Sequence, residues 1–277
     1  MRALSWWLTL ALTLAPVGGA FVSAATGCDD GGDAGSTTGK RVTFATTIGA
    51  DSPGTAFTRD DGWTVTLTEA SVAIGSLYYY DGSPPISRAP SPAPDWRWTS
   101  LWQPSVAHAH PGHYVAGNAL GEMLSPWSAD LFAGTTALPL GDGVTGLYRS
   151  GRFDFAAPSA GPAASGLAGS VAHAAGTATK DATTVHFTVS ADMTALGKQV
   201  AEGKVEGCVF EEVNVAGNGT VSVTVKPSVW FELVDFASVA PGTASAPTVI
   251  APGDPAHLGF VIGVTQLSAY RFRFTPS

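Results

Sequence analysis

Three histidines, His108, His110 and His113, fall within the run Val106-Ala-His-Ala-His-Pro-Gly-His-Tyr114, and only three others occur in the chain of 277 residues. Neutral imidazole is the side chain best suited to hold zinc, copper or nickel near neutral pH. If His108 and His110 are extended, their side chains share a face, and Pro111-Gly112 can turn the chain so that His113 swings back toward the same point. Three imidazoles at about 2.0 to 2.1 Å from an ion, with a fourth position open, make an ordinary zinc or copper environment. Copper is favoured over zinc by its higher intrinsic affinity for imidazole.

The residues around this cluster supply the rest of a candidate centre. Leu120, Met123, Leu124, Trp127 and Leu131 have helical spacing, so Glu122 is expected on a short helix, as a ligand or as a carboxylate that orients one. Tyr114 and Trp102 are the aromatic neighbours for the same supporting role. His173, in a strand with small neighbours, is the candidate fourth ligand. His257 follows the turn Gly253-Asp-Pro and is a weaker one, while His186 lies opposite the apolar set Val185, Phe187 and Val189. The competing reading is a solvated histidine-rich loop that binds metal only weakly, because a floppy loop loses entropy on binding.

Catalysis has little signal outside this cluster. No Gly-x-Ser-x-Gly elbow occurs, and Glu211-Glu212 is an adjacent pair that a strand would send to opposite faces. An open zinc position could still activate water, which keeps a metal-dependent hydrolase as a minor alternative. Charged residues make up 13 % of the chain with a formal net charge of −8, so nothing basic is present to hold phosphates, and nucleic-acid binding is excluded as a working idea.

Strands must carry the loop. Arg41 to Ile48 alternates Val42, Phe44, Thr46 and Ile48 against polar neighbours, and Trp63, Val65 and Leu67 do the same before the chain runs on to Leu77-Tyr-Tyr-Tyr80, as two strands or one bent at Glu69 or Gly75. Further strand signals span 144–155, 167–179, 183–190, 205–215, 220–236 and 268–274. Asp181-Ala182 predicts one hairpin and Ala216-Gly-Asn-Gly219 a second. The expected architecture is all-β: an antiparallel β-sandwich over residues 40–277, with one or two short helices, one of them over Thr194 to Glu202. Residues 81–142 are rich in proline, tryptophan and histidine and are expected to stand outside the strand ladder as a long inserted loop. Trp96, Trp98, Trp102, Tyr114, Trp127 and Phe132 are too many apolar groups to leave in water, so the insertion is expected to be ordered beyond Ala93, with Ser83 to Pro94 as a mobile stem.

The N-terminus predicts the location. Arg2, the apolar stretch Leu4 to Leu14 and the small residues of 15–25 read as a secretory signal peptide over residues 1–27, too short and too broken by Pro16 and Gly18-Gly19 to span a membrane. Ala25-Thr26-Gly27-Cys28 resembles the lipobox of bacterial lipoproteins, with Ala25 where that family usually has Leu. The resemblance implies cleavage before Cys28 and a diacylglycerol on its thiol. Residues 28–39 are small, polar and acidic and read as a flexible tether. With Cys28 acylated, Cys208 has no partner for an intramolecular disulfide; the competing reading is a Cys28 to Cys208 bridge, permitted in an oxidising compartment. The implied home is the bacterial cell envelope, on the periplasmic face of either membrane or at the cell surface.

Two further resemblances bear on the histidines. His108-Ala-His110-Pro-Gly-His113 is similar to the His-x-His-x-Asp-His signature of the metallo-β-lactamase superfamily, with Gly112 where that family has Asp; its αββα fold needs more helix than this strand-rich pattern offers. Gly62-Trp-Thr-Val-Thr-Leu67, Leu77-Tyr-Tyr-Tyr80 and a His/Trp-rich excursion resemble the periplasmic copper-binding proteins encoded beside methanobactin gene clusters. That family holds copper through histidines and a tryptophan oxidised to kynurenine, which implies copper ligation by His108, His110 and His113 and leaves Trp96, Trp98, Trp102 and Trp127 unranked for the second role. The function expected is metal uptake, delivery or sequestration with an envelope transporter or receptor as partner. The alternative is a non-catalytic carbohydrate- or protein-binding surface lipoprotein that uses its tryptophans as a platform.

Overall fold

The computed structural model describes residues 39–85 and 114–277. The chain is all-β as expected. Its strands, in order, are β1 (Arg41–Ala50), β2 (Phe57–Thr58), β3 (Thr64–Tyr80), β4 (Ala119–Met123), β5 (Trp127–Asp130), β6 (Thr136–Val144), β7 (Gly146–Phe155), β8 (Ala172–Lys180), β9 (Thr183–Ala191), β10 (Lys204–Val215), β11 (Gly219–Val225), β12 (Thr248–Ile250) and β13 (Tyr270–Pro276). Four short α-helices intervene: α1 (Ala164–Leu167), α2 (Met193–Leu196), α3 (Pro227–Trp230) and α4 (Pro255–Val264). Among the described residues, no helix is long and apolar enough to cross a membrane.

The alternation read in β1 is the one that folds: Val42, Phe44, Thr46 and Ile48 are all buried. Hydrogen bonding runs from β3 through β4, β6, β1, β11, β13 and β10 to β7, and β7 pairs back with β3. The opposed layers of the sandwich-like core are therefore continuous round a closed ring, which removes the edges that an open sheet would expose. Parallel pairings of β1 with β11, β10 with β13 and β12 with β9 make the sheet mixed rather than wholly antiparallel.

Aromatic side chains fill the ring. Phe44, Tyr79, Tyr148, Phe210 and Phe272 are buried and meet edge-on or tilted, with centroids 5.5 to 6.4 Å apart except where Phe210 stacks on Phe272. Such rings need space, and the neighbouring strand β6 supplies it with glycine: a Cβ on Gly143 would lie 2.5 Å from Phe44 Cε2. The Tyr148 hydroxyl reaches the carbonyls of Leu120 and Val144, both at 2.7 Å, and burial pushes its phenol up to about 12.

β3 is one strand, long enough to serve two neighbourhoods. Its first part pairs with β8 and its last part with β4 and β7. Register shifts fall between Leu67 and Glu69 against β8 and between Ile74 and Leu77 against β7, which brackets both expected bends. β8, β9 and β12 extend from its first part and cover a second aromatic cluster of Phe187, Phe231, Phe236 and Phe260. The β8–β9 hairpin is the one expected, with Asp181 at φ 52°.

Four expectations are corrected. The helix over 120–131 is instead β4 and β5, which pair in succession with β3. Pro126 sits between them, where it would break a helix, and Leu124, on the expected apolar stripe, is exposed. Residues 119–142 therefore belong to the ladder, not to an excursion outside it. Pro139 is tolerated within β6 because a bulge falls there, between the pairs Phe44–Gly141 and Thr46–Leu138. The hairpin across 216–219 is not made: neither Gly217, Asn218 nor Gly219 adopts positive φ, and β13 lies between β10 and β11. The helix over 194–202 is shorter, ending α2 at Leu196 after Asp192 caps it through Ala195 N at 2.7 Å, with a separate 3-10 turn at Ala201–Gly203.

Candidate functional site

β3 ends at Tyr80 and β4 begins at Ala119, and the chain between them is tied at its base. The Asp81 carboxylate accepts from Asn118 N at 2.7 Å and Asn118 Nδ2 at 3.0 Å, and Gly82 N donates to Ala116 O at 2.9 Å. Gly117 must be glycine here, since its φ is 77° and a Cβ would stand 2.1 Å from Asp81 Oδ1. Above this pair, fully buried Ser150 donates to Gly82 O at 2.6 Å, so the Tyr114 hydroxyl, 2.6 Å from Ser150 Oγ, must be the donor to Ser150. Burial raises the Tyr114 phenol, and the bond to Ser150 offsets only part of that. Pro85 and Tyr114 both lie over Gly207 of β10. Pro85 and Tyr114, the residues that flank segment 86–113, thus both lie against β10, with Tyr114 bonded to Ser150 of β7.

Next to this neck lies a largely buried ion pair. Arg152 binds Asp154 through two bonds of 2.9 and 3.0 Å, and its guanidinium lies 4.1 Å from the centre of the Tyr78 ring. Burial pushes the Asp154 carboxyl up, opposed by Arg152. Cys208 is fully buried and burial drives its thiol well above the ordinary range, so as folded it offers no thiolate to a metal.

His108, His110, His113, Trp102 and Cys28 lie outside the described residues. Tyr114 is an anchor of the neck, its hydroxyl held by Ser150. Glu122 is on β4, opposite Tyr78 and Asp142, and not on a helix. His173 pairs across β8 with Ser71 of β3, nine residues before Tyr80 and so roughly 30 Å along the strand from the neck at about 3.3 Å per residue. Its Nδ1 is 2.8 Å from Ser190 Oγ, and its Nε2 lies 3.6 Å from Glu69 Oε2, beyond hydrogen-bond distance. The structure therefore does not bring His173 to the neck, whereas Glu122 stands on β4 four residues after Asn118, beside Tyr78. Among the described residues, no three His, Cys, Asp or Glu side chains gather as a metal site.

Ser150→Ala tests the neck directly. It leaves the half-buried Gly82 carbonyl without its donor and removes the acceptor of Tyr114, and it is expected to cost about 1 to 3 kcal/mol in urea denaturation. Tyr114→Phe removes one half-buried hydroxyl, leaves Ser150 bonded to Gly82, and should cost about 1 kcal/mol.

A second place was missed by sequence reasoning. His257 lies in the first turn of α4 and is only 6 % exposed, with Nε2 2.9 Å from the Ser190 carbonyl. It lines a groove between β9, β12, α2 and α4. The signal for it was Asp254-Pro255, an N-cap residue followed by proline at the first helical position.

Compared with protein-family models, with curated proteins and with solved structures, the chain matches nothing.

Proposed function

We propose that this chain is a lipid-anchored protein of the bacterial cell envelope that binds a transition metal, copper ahead of zinc, through His108, His110 and His113, for uptake, delivery or sequestration. The observation that supports this reading best is the neck: Asp81 with Asn118, Gly82 with Ala116 and Ser150 with Tyr114 hold the residues that flank segment 86–113 against the strands. Closing a loop at its base removes part of the entropy that ligation would otherwise have to offset. His113 is bonded directly to Tyr114, so one of the three imidazoles starts from an anchored residue. Copper or zinc bound there would polarise a ligand or be handed on to an envelope transporter or receptor. Cys28 would carry the acyl anchor and residues 28–39 the tether.

The test is metal retention. The purified full chain is incubated with Cu(II), Cu(I) or Zn(II), desalted, and its bound metal measured. One equivalent per chain is expected, lost when His108, His110 and His113 are all replaced by alanine. Unchanged retention in that triple variant would overturn the reading.

A further inference from the structure

The groove at His257 has a volume of about 490 Å³, within the range of small-molecule pockets. Its walls are more apolar than polar, with Ile250 and Val261 at the floor side and the exposed Val249 and Leu258 at the rim. The largely buried ring of His257 lines it. A carbonyl can only accept, so the bond to Ser190 O fixes the proton on His257 Nε2 and leaves Nδ1 of the neutral ring as an acceptor. Among the described residues no hydrogen bond reaches Nδ1, and the ring that carries it lines the groove. A ligand must therefore bring a donor to this point, because an acceptor there would leave two unpaired groups facing each other.

The charges around it narrow the choice. Asp192 and Asp254 line the groove and Lys198 is the one cation that does, so the balance is negative. Each carboxylate spends one oxygen on a backbone amide, Asp192 on Ala195 N at 2.7 Å and Asp254 on Ala251 N at 3.0 Å, and keeps the other. An anionic ligand would meet both acids. A sugar would find no aromatic side chain on which to stack. We propose that this groove binds a small organic amine, its protonated nitrogen donating to His257 Nδ1 and drawn by Asp192 and Asp254, its hydrocarbon part lying against Val249, Ile250 and Leu258. This site is independent of the metal reading and is tested on metal-free protein.

The probe is cyclohexylmethylamine, compared with cyclohexylmethanol and cyclohexanecarboxylate, titrated into the full chain with ¹⁵N-labelled histidine and followed by NMR and calorimetry. Saturable binding of the amine is expected, with the His257 Nδ1 resonance moving, and the alcohol and acid should bind at least tenfold more weakly. His257→Gln retains a donor for Ser190 O but has no Nδ1, and should lose at least tenfold in amine affinity. Asp192→Asn with Asp254→Asn keeps two good helix-capping residues while removing the negative charge, and should lose as much; it decides the matter if His257→Gln fails to fold. No saturable amine binding, equal binding of the acid, or wild-type affinity in the folded variants would each overturn the proposal.

Discussion

Phe44→Ala is expected to cost about 3 to 5 kcal/mol in urea denaturation, toward the upper end for a buried aromatic truncation. Phe44 is fully buried at the centre of the ring, with the rings of Tyr79, Tyr148 and Phe274 at 6.0, 6.0 and 5.9 Å. Loss of the side chain removes those contacts and leaves a void, and how far the void closes sets the cost. Here it can close little. β1 is bonded on one side to β6 and on the other to β11, so its backbone cannot move inward without breaking a ladder. Gly143 gives a second readout. A Cβ there meets Phe44 Cε2 at 2.5 Å, with Tyr148 Oη at 2.8 Å and Leu120 O at 2.9 Å behind it, so Gly143→Ala is costly alone and less costly once Phe44 is alanine. A double-mutant cycle should show that coupling. A cost for Phe44→Ala under about 1 kcal/mol, or additive changes, would mean that the strands do not close round this ring.

Period-two patterning made the central strands legible because each has one face on a core and one in water. Val42, Phe44 and Ile48 in β1 and Val185, Phe187 and Val189 in β9 are buried as their alternation required. The pattern failed where that two-sided environment is missing. α4 is buried on nearly all sides, so Pro255-Ala-His-Leu-Gly-Phe-Val-Ile-Gly-Val264 carries no apolar stripe, and only its start signal was readable. β4 and β5 are too short to show a period, and Leu120 with Met123 matched a helix by chance of spacing. Pairing partners were the least legible of all. Asn218-Gly219 has the composition of a hairpin turn, yet the side chain of Asn218 accepts from Thr43 N at 3.0 Å and so directs β11 to β1 instead of to β10.

For the functional residues the sequence showed chemistry and hid position. The imidazoles of 108–113 stand out by number and spacing alone, whereas the anchoring of their segment rests on Asp81, Tyr114 and Ser150, three residues with no unusual spacing. His173 and His257 looked alike as spare ligands. In the structure both are bound to Ser190, one through its hydroxyl and one through its carbonyl, and His257 is the one that lines a groove. Neighbourhoods built from strands far apart in sequence cannot be read from local pattern, since β8 and β9 meet α4 only after the chain has traversed the ring.

Gly263→Ala is expected to destabilise by more than about 3 kcal/mol, past the usual range for an overpacked core. The sign is the informative part. In a helix that merely contained glycine, alanine would stabilise by about 0.5 to 1 kcal/mol. In α4 a Cβ at 263 would stand 2.4 Å from the Trp230 carbonyl oxygen and 2.7 Å from Trp230 Cα, and one at 259 would stand 2.1 Å from the Leu233 carbonyl oxygen. These are backbone atoms of α3 and the turn after it, and no rotamer change can clear them. Gly259 and Gly263 lie one turn apart on the same face, so they let α4 approach α3 backbone to backbone. Gly166→Ala, in α1 with open space around it, is the matched control and should be neutral or stabilising. Because α4 also carries His257, the same substitution should disturb the bond from Nε2 to Ser190 O and shift the His257 signals in ¹⁵N-histidine spectra of whatever fraction remains folded. Stabilisation by Gly263→Ala, with those signals unmoved, would show that α4 does not sit where its glycines allow, and the walls of the groove would have to be redrawn with it.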